Sequence, residues 1–187
     1  MKKVCVVTGG GSGIGFATAK EVAEKGYYVI LVGRNKKKLE GAVEILRTLG
    51  GEAEAYSCDV SDRENCFALA KRASECGKVK AVLHIAGMSP HMGDEEKIMQ
   101  ANAMGTININ DAFYGVIAEG GCVIDTSSTS AYMAPAFIMP KRIYPLACKD
   151  RELFFRKIMK RVNLFPKKTR EGVTYSISKH FTIWFAK

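Results

Sequence analysis

The sequence predicts an α/β fold, a parallel sheet wound with helices on both faces, and three features carry that expectation. Short, mostly apolar runs recur at residues 4–7, 27–32, 81–85 and 122–126, as strands buried on both faces require. Between them lie stretches whose apolar residues repeat at helical spacing. A glycine-rich corner, Thr8-Gly9-Gly10-Gly11-Ser12-Gly13-Ile14-Gly15, joins the first run to the first helical stretch, residues 16–23.

The corner comes first in the chain, and its physics favours an anion. The first turn of a helix carries unpaired N–H groups and a partial positive charge, and glycines let a phosphate approach the backbone. On this reading Gly9 makes the tight turn, Gly13 gives close approach to phosphate, and Gly15 lets the helix lie against the sheet. The spacing Thr-Gly-x-x-x-Gly-x-Gly closely resembles that of the short-chain dehydrogenase/reductase family. The resemblance implies a Rossmann-type sheet of strand order 3-2-1-4-5 and binding of a nicotinamide dinucleotide, with Ile14 among the contacts.

Gly26 closes the first helix, residues 27–32 form the second strand, and Asn35 caps a lysine-rich helix to about residue 49. Dinucleotide sites that take NAD place an acidic side chain after the second strand, whereas this chain presents Arg34. A guanidinium suits a 2′-phosphate, and Ser12 adds a hydroxyl donor, so NADP is expected over NAD. The alternative for residues 36–38 is a solvated helix start.

Residues 52–58 alternate as a third strand, ending at Asp59-Val60. Ser61 is expected to cap a helix to about Cys76 with Phe67, Leu69 and Ala70 turned inward. The resemblance places Asp59 and Val60 against the adenine; read alone, Asp59 is a turn residue. The fourth strand, 81–85, ends in Ala86-Gly87, the half of the family's Asn-Asn-Ala-Gly that this chain keeps, with the cofactor ribose expected against it. His84 and Ile85 replace the asparagines, and His84 reads as structural.

A long amphipathic stretch, 95–119, contains Asn102-Ala103-Met104-Gly105-Thr106, similar to the family's Asn-x-x-Gly-Thr. An asparagine inside a helix competes for backbone bonds and usually has a reason to be there. By resemblance Asn102 bends the helix and holds a water in a proton path. The fifth strand, 122–126, delivers Ser127-Ser128 to the sheet edge where ligands of open α/β sheets gather. Ser128 best matches the family's catalytic serine, with Ser127 as the alternative. Tyr175-Ser176-Ile177-Ser178-Lys179 then places a phenol and an ammonium four apart on one helix face, a spacing that otherwise marks an ordinary surface pair.

These residues suit hydride chemistry at a carbonyl, which also needs a proton at the oxygen. A phenol gives up its proton reluctantly at neutral pH, and a cation about 4 Å away at a dielectric near 20 favours the phenolate by roughly 4 kcal/mol. The resemblance implies Tyr175 as general acid or base, with Lys179 beside it and bonded to the nicotinamide ribose. Ser128 holds the substrate oxygen, and Asn102 positions the relay water.

Composition narrows the remaining classes. The net charge is +9, but residues 141–171 hold eleven Lys or Arg against three acids, a net +8, and Lys179 and Lys187 add two. Residues 1–140 therefore sum to −1, and a nucleic-acid partner loses its electrostatic basis. Six cysteines without metal-ligand spacing and only three histidines argue against zinc. Cys5 and Cys122 read as buried strand thiols. No apolar run is long enough to span a bilayer, the start breaks into glycines too early for a signal peptide, and a single cytoplasmic domain over residues 1–187 is expected.

Two departures from the family stand out. Ser128 and Tyr175 are 47 positions apart, roughly thirty more than the family's brief connection, and the resemblance skips residues 132–172. Asp150 caps a helix over about 151–163, with Phe154, Phe155, Ile158, Met159, Val162 and Phe165 as an apolar stripe among Arg156, Lys157, Lys160 and Arg161. A cap over a bulky hydrophobic, steroid-like ketone is the favoured role, ahead of a partner or a membrane surface, and the basic rim suits an acidic substrate tail. The second departure is that the chain stops within the helix bearing Tyr175, before two strands the family normally adds, so the fifth strand is expected to be an exposed, aggregation-prone edge. The expected activity is NADP-dependent interconversion of a secondary alcohol and a ketone. The competing class is a nucleotide-binding module without turnover, acting as a sensor. Oligomeric state is open: the family often pairs through the helices bearing Asn102 and Tyr175, where the insert stands in the way.

Overall fold

Alternation along the strands explains how the sheet is buried. The computed structural model describes all residues, 1–187, and contains five strands: β1 (Lys3–Thr8), β2 (Tyr28–Gly33), β3 (Ala53–Ser57), β4 (Lys78–His84) and β5 (Ile117–Asp125). All pair in parallel, in the order β3-β2-β1-β4-β5, as the sequence implies. Successive side chains on a strand point to opposite faces. Val4, Val6, Ile30, Val32 and Val82 accordingly enter one apolar cluster, whereas Cys5, Val7, Val29, Leu31 and Leu83 enter another.

Helices cover each face with their own apolar residues. Leu69 and Ala73 of α3 (Arg63–Cys76) and Ile109 and Phe113 of α5 (Gly105–Tyr114) complete the first cluster. Ala19 of α1 (Gly13–Glu24) and Leu39, Val43 and Leu46 of α2 (Lys36–Thr48) complete the second. The sheet is thus doubly wound. Its elements fall in a compact unit formed by Met1–Ala86 and Asn108–Thr126.

A second compact unit comprises Gly87–Ile107 and Ser127–Lys187. It holds α4 (Glu95–Met99), a π-helical turn (Gln100–Met104), the start of α5, α6 (Ser130–Met133), α7 (Arg151–Val162) and α8 (Arg170–Phe185). Its core is aromatic: Tyr144, Phe154 and Phe181 are fully buried with Ile158, Val162 and Ile177. Phe154 and Tyr144 both pack on the Phe181 ring, at centroid distances of 4.9 and 5.3 Å. Asp150 caps α7 by accepting from the Leu153 N–H at 2.9 Å, as the sequence predicts.

Four local expectations need correction. Ser61 does not cap α3; its N–H and hydroxyl both bond Asp59 Oδ1, at 2.9 and 2.7 Å, in an Asx turn, and Asp62 accepts from the Asn65 N–H instead. Phe67 lies outward, 41 % exposed, beneath the Arg63 guanidinium. The helical stretch from residue 95 ends at Tyr114, because β5 already begins at Ile117 and carries a bulge: Val79 pairs with Ile117, yet Ala81 pairs with Cys122. Cys122 is exposed, since alternate residues of β5 at the sheet edge, with Ile124, face outward uncovered.

Candidate functional site

In the first unit, the corner is built by backbone crowding. Gly9 has a φ of +70°, and a Cβ there would sit 3.1 Å from the Ala86 nitrogen. A Cβ on Gly10 would meet Leu31 Cδ2 and the Val7 carbonyl at 2.8 Å. One on Gly15 would overlap the Gly9 carbonyl oxygen and lie 2.7 Å from its carbon. The third glycine therefore lets α1 close on the turn itself, not on the sheet. Gly13, at φ +54°, faces open space.

That open space is where an anion fits. Phe16 N–H makes the first bond of α1, to the Ser12 carbonyl at 3.2 Å, so the N–H groups of Gly13, Ile14 and Gly15 precede the ladder. The exposed Ser12 side chain makes no capping bond. Ile14 is a large apolar residue left 71 % exposed beside it. Arg34, directly after β2, is exposed, and none of the chain's ion pairs engages it. Asp59 is half-buried and fixed by Ser61, while Val60 is buried. By the family resemblance, Gly9, Ser12, Gly13, Ile14 and Gly15 are the residues expected at the phosphates of a dinucleotide, Arg34 at a 2′-phosphate, Asp59 and Val60 at the base and Ala86 at the ribose.

Two ties in this unit escaped the sequence reading. Thr8 Oγ1 accepts from the N–H groups of Ile85 and Ala86, both at 3.0 Å, so its one proton goes to His84 Nδ1 at 2.8 Å. His84 is thereby a structural residue that locks the ends of β1 and β4 together. Asn108 donates to the carbonyls of Val60 and Ser61, both at 3.1 Å, and holds the turn after β3. A polar residue at the end of an apolar strand, or inside a helix, was the only signal for either.

In the second unit the four residues expected to be catalytic occur with well-defined partners. Asn102 lies within the π-helical turn, where one extra residue per turn re-aims the side chains. Its amide is fully engaged: Oδ1 accepts from the Met88 N–H at 2.7 Å, and Nδ2 donates to the Met88 carbonyl at 2.9 Å and to Ser178 Oγ at 3.1 Å. A side chain so engaged is a brace for the loop after Gly87, and the Asn102 carbonyl accepts from Thr106 Oγ1 at 2.7 Å.

Tyr175 and Lys179 share one face of α8, with the ammonium 6.0 Å from the centre of the phenol ring. Lys179 is 7 % exposed, and a Cβ on Gly87 would lie 3.5 Å from its Nζ and 2.9 Å from Asn102 Oδ1. A side chain at position 87 would push on the braced Asn102 amide. The two serines separate: Ser127 Oγ donates to the Lys179 carbonyl at 2.7 Å and anchors α8, while half-buried Ser128 accepts only from the Ser130 N–H at 3.2 Å.

The apolar stripe of the insert divides in two. Phe154, Ile158 and Val162 are fully buried against Met99, Ile107 and Phe181, so the inner stripe of α7 forms the unit's own core. Phe155, Met159 and Phe165 of the same stripe are only half-buried. After Ser128, the next large exposed apolar side chains along the chain are Tyr132, Met133 and Phe137, at 73, 79 and 80 % exposure. No helix is long and apolar enough to cross a membrane, and no cluster of His, Cys, Asp or Glu is placed to hold a metal ion.

Known proteins are similar in sequence and in fold. The model of the short chain dehydrogenase family matches residues 3–140. A sorbose reductase of Schizosaccharomyces pombe is 36% identical over 146 residues, covering 71% of this chain and 57% of that protein. An uncharacterized oxidoreductase of Listeria monocytogenes is 37% identical over 142 residues, covering 71% and 57%. A metagenomic short-chain oxidoreductase solved in complex with NADP superposes with a TM-score of 0.64 at 26% identity, over 69% of this chain and 63% of that one. The fold is also that of an actinorhodin polyketide ketoreductase variant solved with NADPH, at TM-score 0.72 and 21% identity, over 98% of this chain and 62% of the other. The chain spans about half the length of the relatives it matches. On the family match and the fold together, the chain belongs to the short-chain dehydrogenases.

Proposed function

We propose that this chain carries the cofactor corner and the proton-handling residues of an NADP-dependent oxidoreductase that interconverts a secondary alcohol and a ketone. The observation that carries the reading is the Tyr175–Lys179 pair, a phenol with a largely buried ammonium 6.0 Å from its ring. When bound, the nicotinamide supplies or accepts the hydride; the chain's residues manage the proton. In the reductive direction Tyr175 gives its hydroxyl proton to the carbonyl oxygen as the carbon gains hydride, and Lys179 stabilises the charge left on the phenol oxygen. Ser128, with its hydroxyl proton uncommitted, holds the same oxygen. Asn102 fixes the loop of Gly87 on which the ribose and Lys179 depend.

NADP is favoured over NAD by exposed Arg34 with no carboxylate to neutralise it, and by the free Ser12 hydroxyl. A bulky hydrophobic substrate is supported by Tyr132, Met133 and Phe137, all exposed within ten positions of Ser128. Pairing of two chains and a cytoplasmic location belong to the same proposal. The test is loss of NADPH absorbance against a panel running from small ketones to steroids. Turnover that favours bulky ketones is expected; NADPH binding without consumption of any ketone overturns the enzyme reading.

A further inference from the structure

We infer that Ser178, a residue with no role in the chemistry proposed above, is a positioning residue that sets where Tyr175 and Lys179 stand relative to Asn102. The inference rests on that proposed chemistry, but its structural basis is independent of it. Ser178 is fully buried on α8, one residue before Lys179. Its hydroxyl accepts from Asn102 Nδ2 at 3.1 Å and donates to the Tyr175 carbonyl at 2.8 Å.

A directed chain of hydrogen bonds results. Met88 holds Asn102 by both its N–H and its carbonyl, at 2.7 and 2.9 Å, and Asn102 holds Ser178, which holds the backbone of Tyr175. Every polar hydrogen in it has one acceptor, so the chain has one arrangement. A serine hydroxyl bonded back to a carbonyl three residues earlier also bends a helix slightly, and Thr182 repeats the device by bonding the Ser178 carbonyl at 3.2 Å. The turn of α8 that carries the phenol and the ammonium is thereby referenced to the π-helical turn and to Met88. Gly87, adjacent to Met88, lies under the Lys179 ammonium, so the same brace sets the floor on which that ammonium rests.

Removing the hydroxyl leaves one Asn102 N–H buried without an acceptor and lets the Tyr175 turn relax, while Tyr175, Lys179 and Ser128 themselves remain unsubstituted. Misplacement of reacting groups acts on the chemical step more than on binding. Ser178→Ala is therefore expected to lower kcat about tenfold, to leave KM for NADPH and for the ketone within about twofold, and to displace the pH–rate profile. Ser178→Thr, which keeps a hydroxyl able to make the same back-bond, is expected to restore most of the rate.

Wild-type kcat with an unmoved pH profile in Ser178→Ala overturns the inference, as does a fall in thermal stability with kcat and KM worsening together, the mark of a merely structural residue. Should the variants fail to fold, hydrogen exchange of the Asn102 side-chain amide in the ¹⁵N-labelled wild-type chain decides: slow exchange supports the brace, and exchange at the rate of a solvated amide overturns it. That measurement stands even if the wild-type chain turns over no ketone, which would remove the proposed activity and not the brace.

Discussion

Gly15→Ala is the most informative single perturbation of the cofactor corner. The added carbon would overlap the Gly9 carbonyl oxygen and lie 2.7 Å from the Gly9 carbon, about 1 Å inside ordinary carbon–carbon contact. The obstruction is backbone and cannot swing away. Gly9 itself is pinned at φ +70° with its own Cβ direction 3.1 Å from the Ala86 nitrogen. Helix α1 must therefore retreat by about 1 Å, a cost of about 1–3 kcal/mol typical of overpacking. The same displacement carries the first-turn N–H groups away from the phosphates. A loss of about 1.4–2.8 kcal/mol in binding is a tenfold to hundredfold rise in Kd. Fluorescence titration with NADPH alongside a thermal melt reads both quantities. Gly172→Ala serves as the control, since nothing lies within 4 Å of its Cβ position in α8; alanine there is expected to stabilise by about 0.5–1 kcal/mol. Wild-type NADPH affinity in Gly15→Ala would refute the corner's assignment.

Phe154→Ala should destabilise by about 3–5 kcal/mol in a chemical melt, because Phe154 is fully buried against Phe181, whereas Leu164→Ala at a site 70 % exposed should change stability by less than about 0.5 kcal/mol; equal effects would mean that α7 does not build the core. Arg34→Asp should weaken NADPH binding by at least about tenfold while sparing NADH, as expected for loss of a charge-assisted phosphate contact; parallel titrations check this, and unchanged NADPH affinity removes Arg34 from the site. Burial, joined by its bond to Glu54 at 2.9 Å, pushes the Tyr28 hydroxyl up to about 12. A raised folded value means that this contribution to stability is complete below about pH 10 and is lost as pH rises through about 12. Melting temperature against pH should therefore fall over that window, and less steeply in Tyr28→Phe.

The parts legible in the sequence were those governed by local chemistry. The corner was readable because only glycine tolerates the φ values and contacts found at Gly9 and Gly15. The caps at Asn35 and Asp150 were readable because an Asx side chain can serve the first turn from its own position. Strand order came from the family resemblance, which the sheet bears out. What failed depended on partners far along the chain. Ser61 looked like a cap until Asp59 claimed it, and Phe67 looked buried although Arg63 covers it only partly. The stripe on α7 was visible, but its partners Met99, Ile107 and Phe181 come from elsewhere in the sequence. Asn102 was singled out for the right reason, a polar residue inside a helix, yet nothing in the sequence assigned its amide to Met88 and Ser178.

The central claim is that the Tyr175 hydroxyl moves the proton while other residues hold the dinucleotide. Its most direct test measures NADPH binding and ketone reduction together in the wild-type chain and in Tyr175→Phe. The account requires near-wild-type NADPH affinity with turnover abolished in the variant. Undiminished reduction by Tyr175→Phe would contradict it.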